Sequence, residues 1–456
     1  MNTRSHAQQL SAFIAATSFA ELPGAIVEKA KRHTLDTLGA GLAGSTSDEA
    51  SRARAMIAAT GGIGNDILWG RAERASPRDA AFVNGIACHS FELDDSGGCD
   101  HSGAVVLPAV VAALGLSEGQ VTGSDLITAV VLGYDIGRRV LEAFGGYEAH
   151  NGAGWHSTGT CGVFGATVAA ARILKLDARQ CRNAIGIAAS LSSGLWAFIH
   201  DGSQTKRIHA GRAAEGGLTA ALLARQGMTG PVHVFDDVWG GFLRAYAHQP
   251  TDVEALVRNL GTRWRIEQAV IKPYASCRGT HSAIDAIGNV MEAQRLTADM
   301  IAAVQVRMSP FLHGMCGGRD VSGMPAAQMS LPYAVAARMV LGSAGLSAYA
   351  AQPRGDPRLH AAMDRIELNT DEGMAPNDEP YLTVVTCEGR RLEERVLVAL
   401  GAPANPVDDA ALLGKFHELA GLALSATEAR RLADAVLGLD RMASARALPA
   451  MLAPHA

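Results

Sequence analysis

The sequence predicts an α+β protein: a large all-helical domain, a smaller α+β domain inserted near its end, and a helical return at the C-terminus. Three observations carry the prediction. The chain has 456 residues, more than one simple module needs, and 48% of them are apolar, enough for a sizeable core. From Phe19 to about Leu260 the apolar residues recur with a helical period, and strand-like runs are nearly absent. Past Arg265 the pattern changes to short alternating runs separated by helices.

The elements follow in order. Ile26, Ala30, Leu35, Leu38 and Leu42 form one apolar stripe that ends at Gly44. Ser76-Pro77-Arg78-Asp79 reads as a compact helix start, with Ser76 as N-cap, Pro77 in the first turn and Asp79 favoured by the dipole. The apolar run 104–116, which contains Pro108, is too short to cross a bilayer and reads as a buried helix. Helices rich in Ala and Gly are expected at 125–144, 162–174, 181–192 and 212–226, and such small residues imply close helix–helix approach.

In the later part, Ile301–Met308 (IAAVQVRM) and 365–369 (RIELN) alternate as half-exposed strands do. Tyr381–Thr386 and 391–397, joined through Glu388-Gly389, read as a hairpin. Helices at 282–295 and 332–341 lie between them, giving an α+β layer. Helical patterning resumes at 408–422 and Ala426–Leu437. The expected partition is 1–266 with 402–456 for the helical domain and 267–401 for the insertion.

Composition narrows the function. Lys plus Arg is 40 against 45 Asp plus Glu, a net charge of -5, which argues against nucleic-acid partners and a polybasic membrane-surface role. Charged residues are only 19% and mean hydropathy is +0.10, so a homo-oligomeric interface would cover part of a weakly hydrophilic surface. Seven scattered cysteines without a C-x-x-C pair fit a reducing cytoplasm, and argue against a disulfide framework or a zinc ribbon. The N-terminal stretch has a poor signal-peptide pattern. Lysine is scarce: only Lys29, Lys31, Lys175, Lys206, Lys272 and Lys415 occur, the other basic residues being Arg. A retained lysine keeps a titratable amine that Arg lacks.

Common catalytic signatures are absent: there is no G-x-S-x-G, no P-loop, no complete H-E-x-x-H and no dinucleotide fingerprint at Gly62-Ile63-Gly64. Four segments remain. Glu92, Asp94, Asp95 and Ser96, followed by Asp100, His101 and Ser102, suit a metal site; equally, Ser102 can cap the 104–116 helix with the acids solvated. Gly154 to Thr160 would present free N–H groups to a carboxylate, with His156 at its edge, or else His156 packs between helices. Lys206, Arg207, His209 and Arg212 form a surface patch or the cationic wall of an anion site. Lys272, Ser276, Cys277, Arg278 and His281 sit at the domain junction, where clefts bind ligands. Together they describe one chemistry: cations hold a small di- or tricarboxylate, a His or Lys removes a proton from the carbon next to a carboxylate, and a second acid expels water or reprotonates carbon.

The segments AAFVNGIACHSFELDD, HSGAVVLPA, GWHSTGTCGVFGATVAAARILKLD, NAIGIAASLSSG, TKRIHAGRAAEGG, KPYASCRGTHSAIDA and SLPYAVAA occur in order along nearly the whole chain. In these the chain resembles the MmgE/PrpD family of 2-methylcitrate dehydratases, cis-aconitate decarboxylases and iminodisuccinate epimerases. The resemblance implies a helical domain, an α+β lid domain, a homodimer, an active site between the domains, and neither a cofactor nor a metal. It implies catalytic roles for His101, His156, Lys206, Lys272 and His281, and substrate binding by Glu92, Asp94, Asp95, Ser96, Ser276, Cys277 and Arg278. Glu92 stands where the family usually has Asp, Ser102 where Pro commonly follows the motif His, and Cys277 where decarboxylases and some dehydratases carry His. The S-C-x-x-x-H form is closer to the epimerase. The expected function is therefore a cofactor-independent, dehydratase-type lyase, with epimerisation and then decarboxylation as rivals. A metal-dependent hydrolase using Asp94, Asp95, Asp100 and His101 is the reading from another class, and a non-catalytic binding relative a third.

Overall fold

A computed structural model describes residues 4–454; residues 1–3 and 455–456, the outermost ends of the expected helical domain, lie outside it. The fold is α+β, with a large helical domain and a smaller domain towards the C-terminus. The helical part is built on α1 (Gly24–Gly44), α2 (Pro77–His89), α3 (Ser102–Leu116), α4 (Gly123–Ala143), α5 (Gly162–Ile173) and α6 (Thr205–Arg225). A minimal hairpin, β1 (Asp66–Ile67) with β2 (Arg74–Ala75), precedes α2.

Local chemistry explains the helix starts. Ser76 caps α2 by accepting from the Asp79 N–H, and Pro77 occupies the first turn, where its missing N–H costs nothing. α3 departs from expectation. Its N-cap is His101, and Ser102 is already helical, its Oγ accepting from the Cys99 N–H at 2.9 Å. α6 begins seven residues before the expected 212 and takes in Lys206 and Arg207, the segment read as a surface patch or a cationic wall; their charges are neutralised inside the protein. Helix packing relies on small residues: a Cβ on Gly217 of α6 would lie 2.5 Å from Ala166 Cβ of α5, and one on Gly85 of α2 would lie 2.8 Å from Gly211 Cα.

The second layer holds α7 (His281–Gln294), α8 (Leu331–Leu341) and a four-stranded sheet in the order β4-β3-β5-β6. Its strands are β3 (Ile301–Met308), β4 (Ile366–Thr370), β5 (Tyr381–Thr386) and β6 (Arg391–Glu394). β3 and β4 are parallel, while β3 with β5 and β5 with β6 are antiparallel. The β5–β6 turn carries Gly389 at φ 84°, which only a residue without Cβ adopts freely. β6 stops at Glu394, short of residue 397; just past its end the Arg395 guanidinium bonds the Glu379 carbonyl and the Tyr381 hydroxyl.

Buried apolar side chains form two main clusters. One joins residues from 7–271 with residues from 407–452; the other gathers residues from 275–384 with Ala43, Leu93 and Leu419. The C-terminal helices α9 (Asp409–Ala420) and α10 (Ala426–Leu437) pack back onto α1. Among the described residues, no helix is long and apolar enough to cross a membrane.

Candidate active site

Between these layers lies a cleft of about 410 Å³. The loop joining α2 to α3 supplies Glu92, Ser96, Asp100 and His101 to its wall; α6 supplies Lys206, and the segment entering the second layer supplies Lys272, Cys277 and Arg278. Residues far apart in sequence meet here because α2, α3 and α6 pack together beneath the loop.

Glu92 is the electrostatic centre. It is fully buried and left-handed, with φ 54°. Lys206 Nζ donates to its Oε1 at 2.6 Å, Lys272 Nζ donates to its Oε2 at 3.2 Å and to its carbonyl at 3.1 Å, and Arg207 also bonds Oε1. Burial alone would raise the Glu92 pKa, but Lys206, Lys272 and Arg207 outweigh it and hold the carboxyl well below the usual range. Burial likewise works to lower the Lys272 pKa, and Glu92 and Asp94 turn the net shift upwards. Three cations around one carboxylate leave a surplus of positive charge, and both ammonium groups line the cleft.

A histidine–carboxylate chain flanks this centre. Asp94 accepts from His89 Nδ1 at 3.0 Å and lies 3.1 Å from His101 Nδ1, which also bonds the Asp95 carbonyl at 2.8 Å. Asp100 Oδ2 stands 3.6 Å from His101 Nε2 and 3.5 Å from His156 Nε2. The two imidazoles diverge in basicity. Burial opposes the charge on His101, yet Asp100 and Asp94 raise its pKa. At His156 burial dominates, lowering the pKa to about 4. Asp100 is held low by His101 and His156 in spite of burial.

Not every expected residue reaches the cleft. His156 lies behind its wall, packed edge-on to Trp196 at 5.2 Å, with Nδ1 against His209 Nδ1 at 2.9 Å. The amides expected to greet an anion there are already satisfied, since the Ser157 N–H donates to Asn151 Oδ1 at 3.1 Å. Asp95 faces inward, accepting from the Gly103 N–H at 2.9 Å and standing 3.1 Å from His33 Nδ1. Ser276 bonds Thr280, and His281 opens α7 with Nε2 on the Ser276 carbonyl and its ring against Tyr274. Neither Ser276 nor His281 lines the cleft.

Cys277 does line it; a hydrogen bond from Cys316 lowers its pKa against burial, with Lys206 assisting. Arg278 lines it too, bonded to Glu379 at 2.7 Å. Sequence reasoning left His89 unassigned. Its one signal was its place five residues before Asp94, at the C-terminal end of α2. Among the described residues, His89, His101 and His156 form a group able to hold a metal ion, each offering a ring nitrogen within 4.8 Å of the others.

Residues 8–254 match the MmgE/PrpD N-terminal domain and residues 274–441 the MmgE/PrpD C-terminal domain. A cis-aconitate decarboxylase-like protein, oryM, of Aspergillus oryzae is 28% identical over 458 residues, spanning 95% of this chain and 94% of the relative. The cis-aconitate decarboxylase of Aspergillus terreus is 27% identical, spanning 92% and 90%. That of Homo sapiens is 28% identical, spanning 94% and 90%.

Proposed function

The chain belongs to the MmgE/PrpD family, and from that premise we propose that it is a cofactor-independent lyase acting on a small di- or tricarboxylate. The reaction proposed is elimination: a proton leaves the carbon next to a carboxylate and a β-hydroxyl departs as water. The observation that carries this reading is the gathering of Lys206, Arg207 and Lys272 on the single carboxylate of Glu92 at the cleft wall. An ammonium has three donors. Glu92 engages one on Lys206 and two on Lys272, leaving N–H groups for a substrate carboxylate and for the enolate charge that develops on it.

Proton transfer falls to the histidine–carboxylate chain. His101, with its raised pKa, is the acid that protonates the departing hydroxide. Asp100, backed by His156, is the base, and the 3.6 Å gap between Asp100 Oδ2 and His101 Nε2 is the path by which the abstracted proton returns to the acid. Environments that push two titratable groups apart mark an acid and a base. Decarboxylation is the second reading, favoured by the relatives that are cis-aconitate decarboxylases. There the same cations hold the electron pair released with carbon dioxide, and His101 delivers its proton to carbon. Epimerisation needs only proton removal and return. A homodimer is part of the proposal, in keeping with the low charged fraction of 19%.

Incubation with citrate-like hydroxy acids and with cis-aconitate in deuterated water, followed by proton NMR, separates the readings. New vinyl signals from a hydroxy acid support elimination. Carbon dioxide release establishes decarboxylation in its place, and deuterium wash-in without net change establishes epimerisation. Absence of all three with every polycarboxylate defeats the proposal.

A further inference from the structure

We propose that His89, His101 and His156, together with Asp100, form a binding site for a transition-metal dication of the zinc class. One ring nitrogen of each histidine lies within 4.8 Å of the others, and all three side chains are buried. In each ring Nδ1 is already engaged: His89 with Asp94 at 3.0 Å, His101 with the Asp95 carbonyl at 2.8 Å, His156 with His209 at 2.9 Å. Histidines that ligate metals are held by a carboxylate or carbonyl on the far nitrogen, as His89 and His101 are, while His156 leans on an imidazole; in all three the engaged Nδ1 leaves Nε2 for the ion.

Two further observations point to a ligand. His89 Nε2 is buried without a hydrogen-bond partner, Glu92 Oε1 standing 3.9 Å away and too far to bond it, and such an atom calls for a physical reason. Asp100 Oδ2 stands 3.6 and 3.5 Å from the Nε2 atoms of His101 and His156. Those gaps are too long for good hydrogen bonds, but close to the roughly 3.4 Å between two ligands on a tetrahedral ion with bonds near 2.1 Å. Closing on the ion shortens a 4.8 Å spacing by about 1.4 Å, and His156 gives up its 3.2 Å contact with Thr158 Oγ1.

Three imidazoles, His101 giving up its proton on binding, with one carboxylate suit zinc, cobalt or nickel better than magnesium or calcium. Asp100 and His101 line the cleft, which gives the ion its route in. The donor set differs from the acidic one read in the sequence, because Asp95 faces inward and Asp94 serves as the support of His89. An ion here occupies the same Nε2 and carboxylate proposed for proton transfer, so it inhibits. That consequence rests on the proposed function; the binding does not.

The test is titration of the metal-free full-length protein with Co²⁺, read by its visible spectrum. One equivalent per chain, with the intense bands of a four-coordinate ion that Zn²⁺ abolishes, is expected. His89→Gln and Asp100→Asn should each weaken binding by about 10- to 100-fold or more, whereas His233→Ala, which alters the exposed His233–Asp236 pair, should not. A weak octahedral spectrum, a near-ultraviolet thiolate band marking Cys277 or Cys316, or loss in His233→Ala in place of the two ligand variants overturns the proposal. Should His89→Gln fail to fold, the wild-type spectrum and Asp100→Asn decide it. With turnover present, Zn²⁺ should suppress it and a chelator restore it. A cobalt site in a protein that turns over no polycarboxylate before or after chelation leaves the metal site standing and removes the lyase reading.

Discussion

At Glu92 a buried carboxylate is surrounded by three cations, so removing its charge costs more than adding it would gain. Glu92→Gln should destabilise the protein by about 3 kcal/mol, read as a lower urea midpoint with an unchanged slope. His101→Gln should lower kcat by about 100-fold or more with little change in KM, since the residue moves a proton and the cations bind the substrate; steady-state kinetics on the substrate found by NMR checks this. Some of this was legible. Scarce lysine pointed to Lys206 and Lys272, and both meet at Glu92, while Lys415 reaches the neighbouring Leu93 carbonyl at 2.7 Å. His89 was not legible, because its pairing with Asp94 depends on how the chain turns back after α2, which no period encodes. His281, expected in the site because it lies four residues after Cys277, does not line the cleft: α7 begins on it and its ring packs against Tyr274.

Among the elements, the small-residue helices were read from Ala and Gly content, and their close approach is the part of the fold most open to test. Gly217 lies where α6 meets α5 with no room for a Cβ. Gly217→Val should therefore cost about 1–3 kcal/mol or more by forcing the helices apart, measured by denaturant unfolding. β3 and β5 were legible to the residue, since alternation survives wherever one face of a strand is buried. The start of α6 was not, because nothing in the sequence decides between a surface patch and a buried cationic wall until the partner from a distant loop is known. Nor was the break at Cys161 legible, which separates the short helix Ser157–Thr160 from α5.

Over the whole molecule, histidines buried in neutral form set the pH response. Burial lowers His150 and His156 to about 4 and His209 to about 3, and pushes His89 and His281 well below their ordinary 6.5. Below pH 6.5 the unfolded chain binds protons that the folded chain refuses, so stability falls as pH drops from about 6.5 towards 4. His101 acts the other way: its contribution is full below 6.5 and is lost as pH rises through its raised value. Glu92 and Asp94, held low, add to the loss at acid pH beneath about 4. Chemical denaturation between pH 4 and 8 should show the midpoint rising to near neutrality. Glu92 also bears on the order of assembly. Its partners lie 114, 115 and 180 residues along the chain. Each contact closes a long loop: Lys206 and Arg207 reach the carboxylate once α6 packs on α2 and α3, and Lys272 once the segment entering the second layer is in place. Contacts that close such long loops form late, so Glu92→Gln should accelerate unfolding while leaving the refolding rate nearly unchanged, as stopped-flow folding kinetics would read.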